Sequence, residues 1–173
     1  MTDMPPQTGE IIRSRKQRSL DELVTMASDA RRRGGRIVWT NGCFEILHAG
    51  HIEFLIKAAK LGDMLIVGVN SDDSVRTLKG EGHPLTSEQE RLLVLSAVAC
   101  VDYLTVFTER DCAGILRALQ PDVYAKGLLH LRGGLNEDER RVVEEQGGCI
   151  ALIAGDPAVS TETIMRRVRG DAR

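Results

Sequence analysis

From Arg36 onward the chain alternates short apolar runs with amphipathic stretches, and that alternation leaves few architectures open. Five runs have strand character, at residues 36–40, 64–69, 102–107, 123–126 and 149–153. Stretches such as Met64-Leu65-Ile66-Val67 are nearly continuous in apolar residues, the pattern of strands covered on both faces. Helical stripes lie between them. Ile52, Leu55, Ile56 and Ala59 form one, closed by Gly62; Thr86 with Gln89 is expected to cap a second, and Thr108 with Asp111 a third that ends before Pro121. Residues 136–146 and 161–169 supply two more, while Ser19 with Glu22 matches a capping box opening a first helix that stops near Gly34-Gly35. Strand and helix in strict succession predict an α/β domain over residues 19–173, a Rossmann-like parallel sheet with helices on both faces. Residues 1–18, with Pro5, Pro6 and the basic Arg13, Arg15, Lys16 and Arg18, are expected to form a flexible tail.

Sheets of this kind hold ligands outside the carboxyl ends of their strands. The first such end is followed by Thr40-Asn41-Gly42-Cys43-Phe44-Glu45-Ile46-Leu47-His48-Ala49-Gly50-His51, which then runs into an amphipathic helix. A helix start has unpaired N–H groups and the positive end of the dipole, so it suits a phosphate. His48 and His51, three residues apart, fall together at that first turn, and Gly50 removes a side chain where a phosphate would approach the backbone. Two imidazoles there can donate to phosphate oxygens and balance charge as a pentavalent centre forms. His48 and His51 are therefore the candidate catalytic residues.

Composition narrows the partners. A net charge of -2 over 173 residues gives no global field to attract nucleic acid, and 3% aromatic residues offer few stacking platforms. No run approaches the roughly 18 apolar residues that span a bilayer. The opening residues lack a secretory pattern, so a cytoplasmic location and no membrane partner are expected. The four cysteines form no C-x-x-C pair, so no protein-bound metal is expected, and Cys100 and Cys149 read as small core residues.

The segment around the histidines resembles the H-x-G-H signature of the cytidylyltransferase-like nucleotidyltransferase superfamily, which has an HUP-type Rossmann-like fold. The likeness extends through Gly62-Asp63-Met64-Leu65-Ile66-Val67-Gly68-Val69-Asn70-Ser71-Asp72, Leu78-Lys79-Gly80, Pro121-Asp122-Val123 with Lys126-Gly127, and Ser160-Thr161. It is similar above all to the ADP-heptose synthase branch, whose adenylyltransferase domain acts on D-glycero-D-manno-heptose 1-phosphate. The resemblance implies ATP and a sugar phosphate as partners, Mg²⁺ brought with the ATP, and pairing of chains into a homodimer. It also implies that Lys79, expected in a polar loop, folds over the phosphates as a third catalytic group. By the same likeness Thr40, Asn41, Gly42, Cys43, Phe44 and Gly50 shape the nucleotide pocket. Lys126 and Gly127 stand at a strand end beside it, and Ser160 and Thr161 take the terminal phosphates at a helix start. Arg91 reaches a phosphate or braces the loop bearing Lys79. For the acceptor, the candidates are Glu45, Asn70, His130 and Arg132.

Two positions depart from that pattern. Glu45 stands where the family usually has Asp, and Lys126-Gly127 is followed by Leu128-Leu129-His130-Leu131-Arg132 in place of Gly-Asp-Tyr. Other readings stay open on the residues alone. CTP with glycerol phosphate or phosphoethanolamine keeps the chemistry and changes the substrates. A nucleotide-binding regulatory protein without catalysis keeps only the pocket.

Overall fold

The computed structural model describes residues 15–128, 135–155 and 160–170. Its five strands are β1 (Ile37–Gly42), β2 (Met64–Asn70), β3 (Tyr103–Phe107), β4 (Val123–Gly127) and β5 (Cys149–Ile153). The helices among the described residues are α1 (Leu20–Arg32), α2 (Ala49–Ala59), α3 (Asp72–Lys79), α4 (Glu88–Ser96), α5 (Ala113–Leu119), α6 (Glu137–Glu145) and α7 (Thr161–Arg169). The sheet has the order β3-β2-β1-β4-β5, with every pairing parallel. This is the Rossmann-like arrangement that the alternation predicts.

Period-two alternation along β1 divides the core. Ile37 and Trp39 face a cluster with Leu23, Ala27, Phe107, Leu116, Tyr124 and Val143, packed under α1, α5 and α6. Val38 faces the opposite cluster with Leu55, Ala58, Leu92, Leu95 and Leu104, packed under α2 and α4. Neighbouring strands trade volume across the first face: a Cβ on Gly68 would lie 2.4 Å from Cη2 of Trp39, so the indole of β1 occupies the space that β2 leaves empty. Chain order reverses at β1, which runs to β2 on one side and has β4 on the other. Open α/β sheets place their ligand crevice at such a reversal, so the carboxyl ends of β1 and β4 mark where a site belongs.

Several local expectations shift. The box of Ser19 and Glu22 is present, but α4 is capped by Ser87 with Glu90 rather than by Thr86 with Gln89. Both triplets fit the pattern; the ionised Glu90 suits the dipole, and Thr86 is drawn away, its hydroxyl donating to Glu45 O at 2.6 Å. Thr108 and Asp111 do not open α5 as expected: Cys112 holds the N-cap without a side-chain bond, and its N–H donates to Glu139 Oε1 at 3.0 Å. The segment ending in Lys79 is helix, not loop, since Ser71 caps α3 and Asp72 and Asp73 occupy its first turn. Cys149 is exposed, because β5 is an edge strand, and Cys100 is half-buried; Cys112 is the buried thiol. Within the stretch expected as tail, Lys16 Nζ donates to Val98 O at 2.8 Å and Arg18 N to Leu104 O at 2.9 Å, so these residues are held against the fold. Residues 1–14 lie outside the described residues. No helix among the described residues is long and apolar enough to cross a membrane.

Candidate active site

The crevice begins where β1 stops. Phe44 takes a left-handed backbone (φ 50°), which turns the chain sharply off the sheet and sets its ring 3.1 Å from the place a Cβ on Gly42 would occupy. His48 is the N-cap of α2, and its Nδ1 accepts the N–H of His51 at 3.3 Å. An accepting Nδ1 puts the proton of the neutral ring on Nε2, so His48 keeps a donor on its far edge. The two imidazoles stack with centroids 3.8 Å apart and 22° between planes, and the Phe44 ring lies 5.2 Å behind His51. The first turn of α2 carries no acidic residue, unlike those of α1, α3, α4, α6 and α7. The first turn of α5 lacks an acid too, but there Asp111 Oδ1 and Glu139 Oε1 accept the opening N–H groups, whereas at α2 the His48 ring accepts the N–H of His51.

A second layer fixes this loop. Arg91 has a fully buried guanidinium whose Nη1 donates to Cys43 O and Asn70 O, each at 2.7 Å, while Nη2 meets Asp72 Oδ1 at 2.8 Å. Fully buried, the guanidinium braces the loop after β1 against the end of β2 and the start of α3, not the segment after Lys79. Asn70 is likewise buried, its amide donating to Ser74 Oγ at 3.0 Å, so it joins β2 to α3 rather than facing the crevice. Thr40 is buried within β1. Burial pushes the Cys43 thiol up, which favours its protonated form.

Glu45 is only 3% exposed yet carries several partners. Lys79 Nζ pairs with its Oε2, His83 Nδ1 lies 2.6 Å from Oε1, and the N–H of Leu85 donates to Oε1 at 3.0 Å. Burial would lift this carboxyl, but the bonds from Lys79 and His83, the Lys79 charge and the Leu85 N–H hold it below the ordinary carboxylate range. Glu45 is thus the anchor of the segment 79–86, and Lys79 arrives at the site as the end of α3 held by that anchor. His83 and Thr86 belong to the same anchor and were not legible as site residues. Their spacing from Glu45, 38 and 41 residues, leaves no local pattern to read.

On the other side of the crevice, Lys126 Nζ donates to Asn41 Oδ1 at 3.1 Å and stands 3.6 Å from Glu139 Oε2. Tyr124 OH lies 2.8 Å from both Asn41 Oδ1 and Glu139 Oε2. Burial would lift the Glu139 carboxyl too; the Lys126 charge and the bonds from Cys112 and Tyr124 outweigh it and hold the group ionised. Burial pushes the Cys112 thiol up to about 12, and it raises the Tyr124 phenol as well, so both stay protonated donors. Glu139 and Tyr124 were missed in sequence. A signal existed: Glu139 with Val142 and Val143 sits on the buried stripe of α6, and Tyr124 shares its strand face with Lys126.

Ser160 caps α7, its Oγ accepting the N–H of Thr163 at 3.1 Å, and Thr161 opens that helix half-buried. Gly127 ends β4 opposite Ile153. His130 and Arg132 lie outside the described residues. Among the described residues no group of three or more His, Cys, Asp or Glu is placed to hold a metal ion.

Comparison with known proteins bears on the family and the fold. The model of a family described as cytidylyltransferase-like matches residues 39–151. The bifunctional protein HldE of Pelobacter propionicus is 44% identical over 153 residues, covering 88% of this chain and 31% of that protein. The same protein in Geobacter sulfurreducens is 40% identical over 153 residues with the same two coverages. The chain thus spans about a third of the length of these relatives. Among solved structures, the lipopolysaccharide core biosynthesis protein of Thermoplasma volcanium superposes with a TM-score of 0.58 at 28% identity, over 71% of this chain and 98% of that one. Pantoate-beta-alanine ligase from Francisella tularensis shares the fold, with a TM-score of 0.57 at 12% identity over 89% of this chain and 77% of that one.

Proposed function

The chain belongs to the cytidylyltransferase-like family, and from that premise we propose that it is a sugar-phosphate adenylyltransferase. In this reading an oxygen of a sugar 1-phosphate attacks the α-phosphorus of ATP, the bond to the β-phosphate oxygen breaks, and pyrophosphate leaves with the electron pair. The product is an ADP-sugar. D-glycero-D-manno-heptose 1-phosphate is the proposed acceptor, supported by the likeness to HldE and to a lipopolysaccharide core biosynthesis protein. One observation carries the reading: His48 and His51 stack at the start of α2, where the first turn holds no acid and the sheet order reverses.

The acceptor phosphate is already ionised near neutral pH, so no general base is required. Catalysis reduces to alignment and to stabilising charge on the transferring phosphoryl group. His48 Nε2 and the α2 N–H groups would donate to the α-phosphate oxygens. Lys79 would exchange part of its contact with Glu45 for the departing pyrophosphate. Magnesium would enter as part of the MgATP substrate, carried by phosphate oxygens and water.

Pyrophosphate release is the test. ATP and CTP are each offered with D-glycero-D-manno-heptose 1-phosphate, other sugar 1-phosphates and glycerol phosphate. The proposal expects ATP with the heptose phosphate to be fastest. Turnover with CTP and glycerol phosphate would replace it with a cytidylyltransferase; no release with any pair would contradict transfer altogether.

A further inference from the structure

Behind the carboxyl ends of β1 and β4 lies a buried polar cluster built round Glu139, which is 4% exposed. Buried carboxylates are costly and persist where partners satisfy them. Here Oε1 accepts from Cys112 N at 3.0 Å and from Cys112 Sγ at 3.1 Å, and Oε2 from Tyr124 OH at 2.8 Å. One outlet of the cluster toward the crevice is the Asn41 amide. Asn41 Oδ1 has Tyr124 OH at 2.8 Å, Lys126 Nζ at 3.1 Å and Cys112 Sγ at 3.7 Å around it. Tyr124 and Cys112 each have a single proton, which Glu139 takes, so the Lys126 ammonium at 3.1 Å is the donor that turns Oδ1 inward and the Asn41 NH₂ the other way.

Lys126 is the second outlet. Its ammonium sits between Asn41 Oδ1 and Glu139 Oε2, and 4.7 Å from the centroid of the Tyr124 ring. A lysine on four rotatable carbons loses much entropy when it binds a ligand from a free state. Held beforehand by a hydrogen bond to an amide oxygen and an ion pair with a carboxylate, it has little freedom to lose.

We propose that Glu139 is a positioning residue. Through Tyr124 and Lys126, its buried carboxylate holds the Asn41 amide and the Lys126 ammonium in one geometry at the strand reversal, aiming a remaining N–H of Lys126 at a phosphate of the bound nucleotide. The inference rests on reading that crevice as a nucleotide site. Glu139 lies on α6, outside the loop after β1 that carries the histidines, and acts only through its neighbours.

Glu139 also accepts the N–H that opens α5, so a variant could merely loosen that helix. The test must separate the two roles. MgATP is titrated calorimetrically into the full chain, well below its unfolding temperature, for wild type, Glu139→Gln, Lys126→Met and the double variant, with Tm recorded for each. Each single substitution is expected to weaken MgATP binding about tenfold, the scale of one charge-assisted contact. The double variant is expected to bind no more weakly than Lys126→Met alone, since Glu139 acts through that lysine. A Glu139→Gln chain that binds MgATP as tightly as wild type, whatever its Tm, overturns the proposal; so do losses that multiply in the double variant. Should Glu139→Gln fail to fold, Tyr124→Phe removes a single hydroxyl and is expected to weaken MgATP about threefold; unchanged affinity there overturns the proposal equally. A wild-type chain that binds MgATP but releases no pyrophosphate with any sugar 1-phosphate contradicts the proposed reaction and leaves this test standing.

Discussion

His48 and His51 lie face to face at the first turn of α2, centroids 3.8 Å apart, with the backbone N–H of His51 donating to the ring of His48 at 3.3 Å. The residue that caps the helix therefore turns Nδ1 to the helix's own positive end and carries its remaining nitrogen on the far edge of the ring. Structure and chemistry share one side chain here, so the two histidines should respond differently to removal.

His51→Ala removes a ring but leaves the cap made by His48. It is expected to lower kcat by about 10²–10³-fold, the scale of losing one preorganised donor, with Tm shifted little. His48→Ala should lose a similar factor in kcat and also destabilise the chain by about 1 kcal/mol through the missing cap. Steady-state pyrophosphate assays with parallel thermal melts separate the two.

Arg91→Met deletes a buried guanidinium that holds Cys43 O, Asn70 O and Asp72 together. Leaving those carbonyls unpaired is expected to cost about 3–5 kcal/mol. Arg91→Lys should recover only part of it, since an ammonium cannot span the fork. Urea unfolding curves measure both.

The carboxyls of Glu45 and Glu139 are both held below the ordinary range. A group whose folded pKa is depressed stabilises the fold above its unfolded pKa, about 4.3 for Glu, and loses that contribution as pH falls through the folded value. Stability should therefore fall as pH drops below about 4.3, and Glu45→Gln should flatten that part of the curve while lowering the plateau near neutral pH. Unfolding free energies measured from pH 7 to pH 3 show whether the slope changes.

Glu45→Asp tests the anchor by length. The carboxylate braces Lys79, His83 and the Leu85 N–H. Shortening it by one methylene should keep Lys79 near the site, with kcat/KM within about tenfold of wild type. Glu45→Ala should free the segment 79–86, cost more than about tenfold in kcat/KM and expose that segment to proteolysis.

Much of this was legible in the sequence, and the limits have a physical pattern. The strands were placed to within about two residues because continuous apolar runs in a buried parallel sheet are a local signal. The histidine pair and Gly50 were legible for the same reason: the feature lies within one helical turn. Helix starts were less so, since Thr86 and Ser87 both fit a capping pattern and only Glu45, 41 residues from Thr86, decides between them. The α3 helix was missed although Ser71, Asp72 and Asp73 signal its start. The brace of Arg91 on Cys43 spans 48 residues and the contact of Lys126 with Asn41 spans 85. No periodicity within a window encodes such pairs; they exist only once the sheet has brought distant strand ends together.

The account stands on a triphosphate lying against the start of α2. A crystal structure of the chain with Mg²⁺ and α,β-methylene-ATP tests that directly. The α-phosphate oxygens are expected within about 3 Å of both imidazoles and beside the first-turn N–H groups of α2. A nucleotide bound away from the β1–β4 crevice, or phosphates there with both imidazoles turned from them, would contradict it.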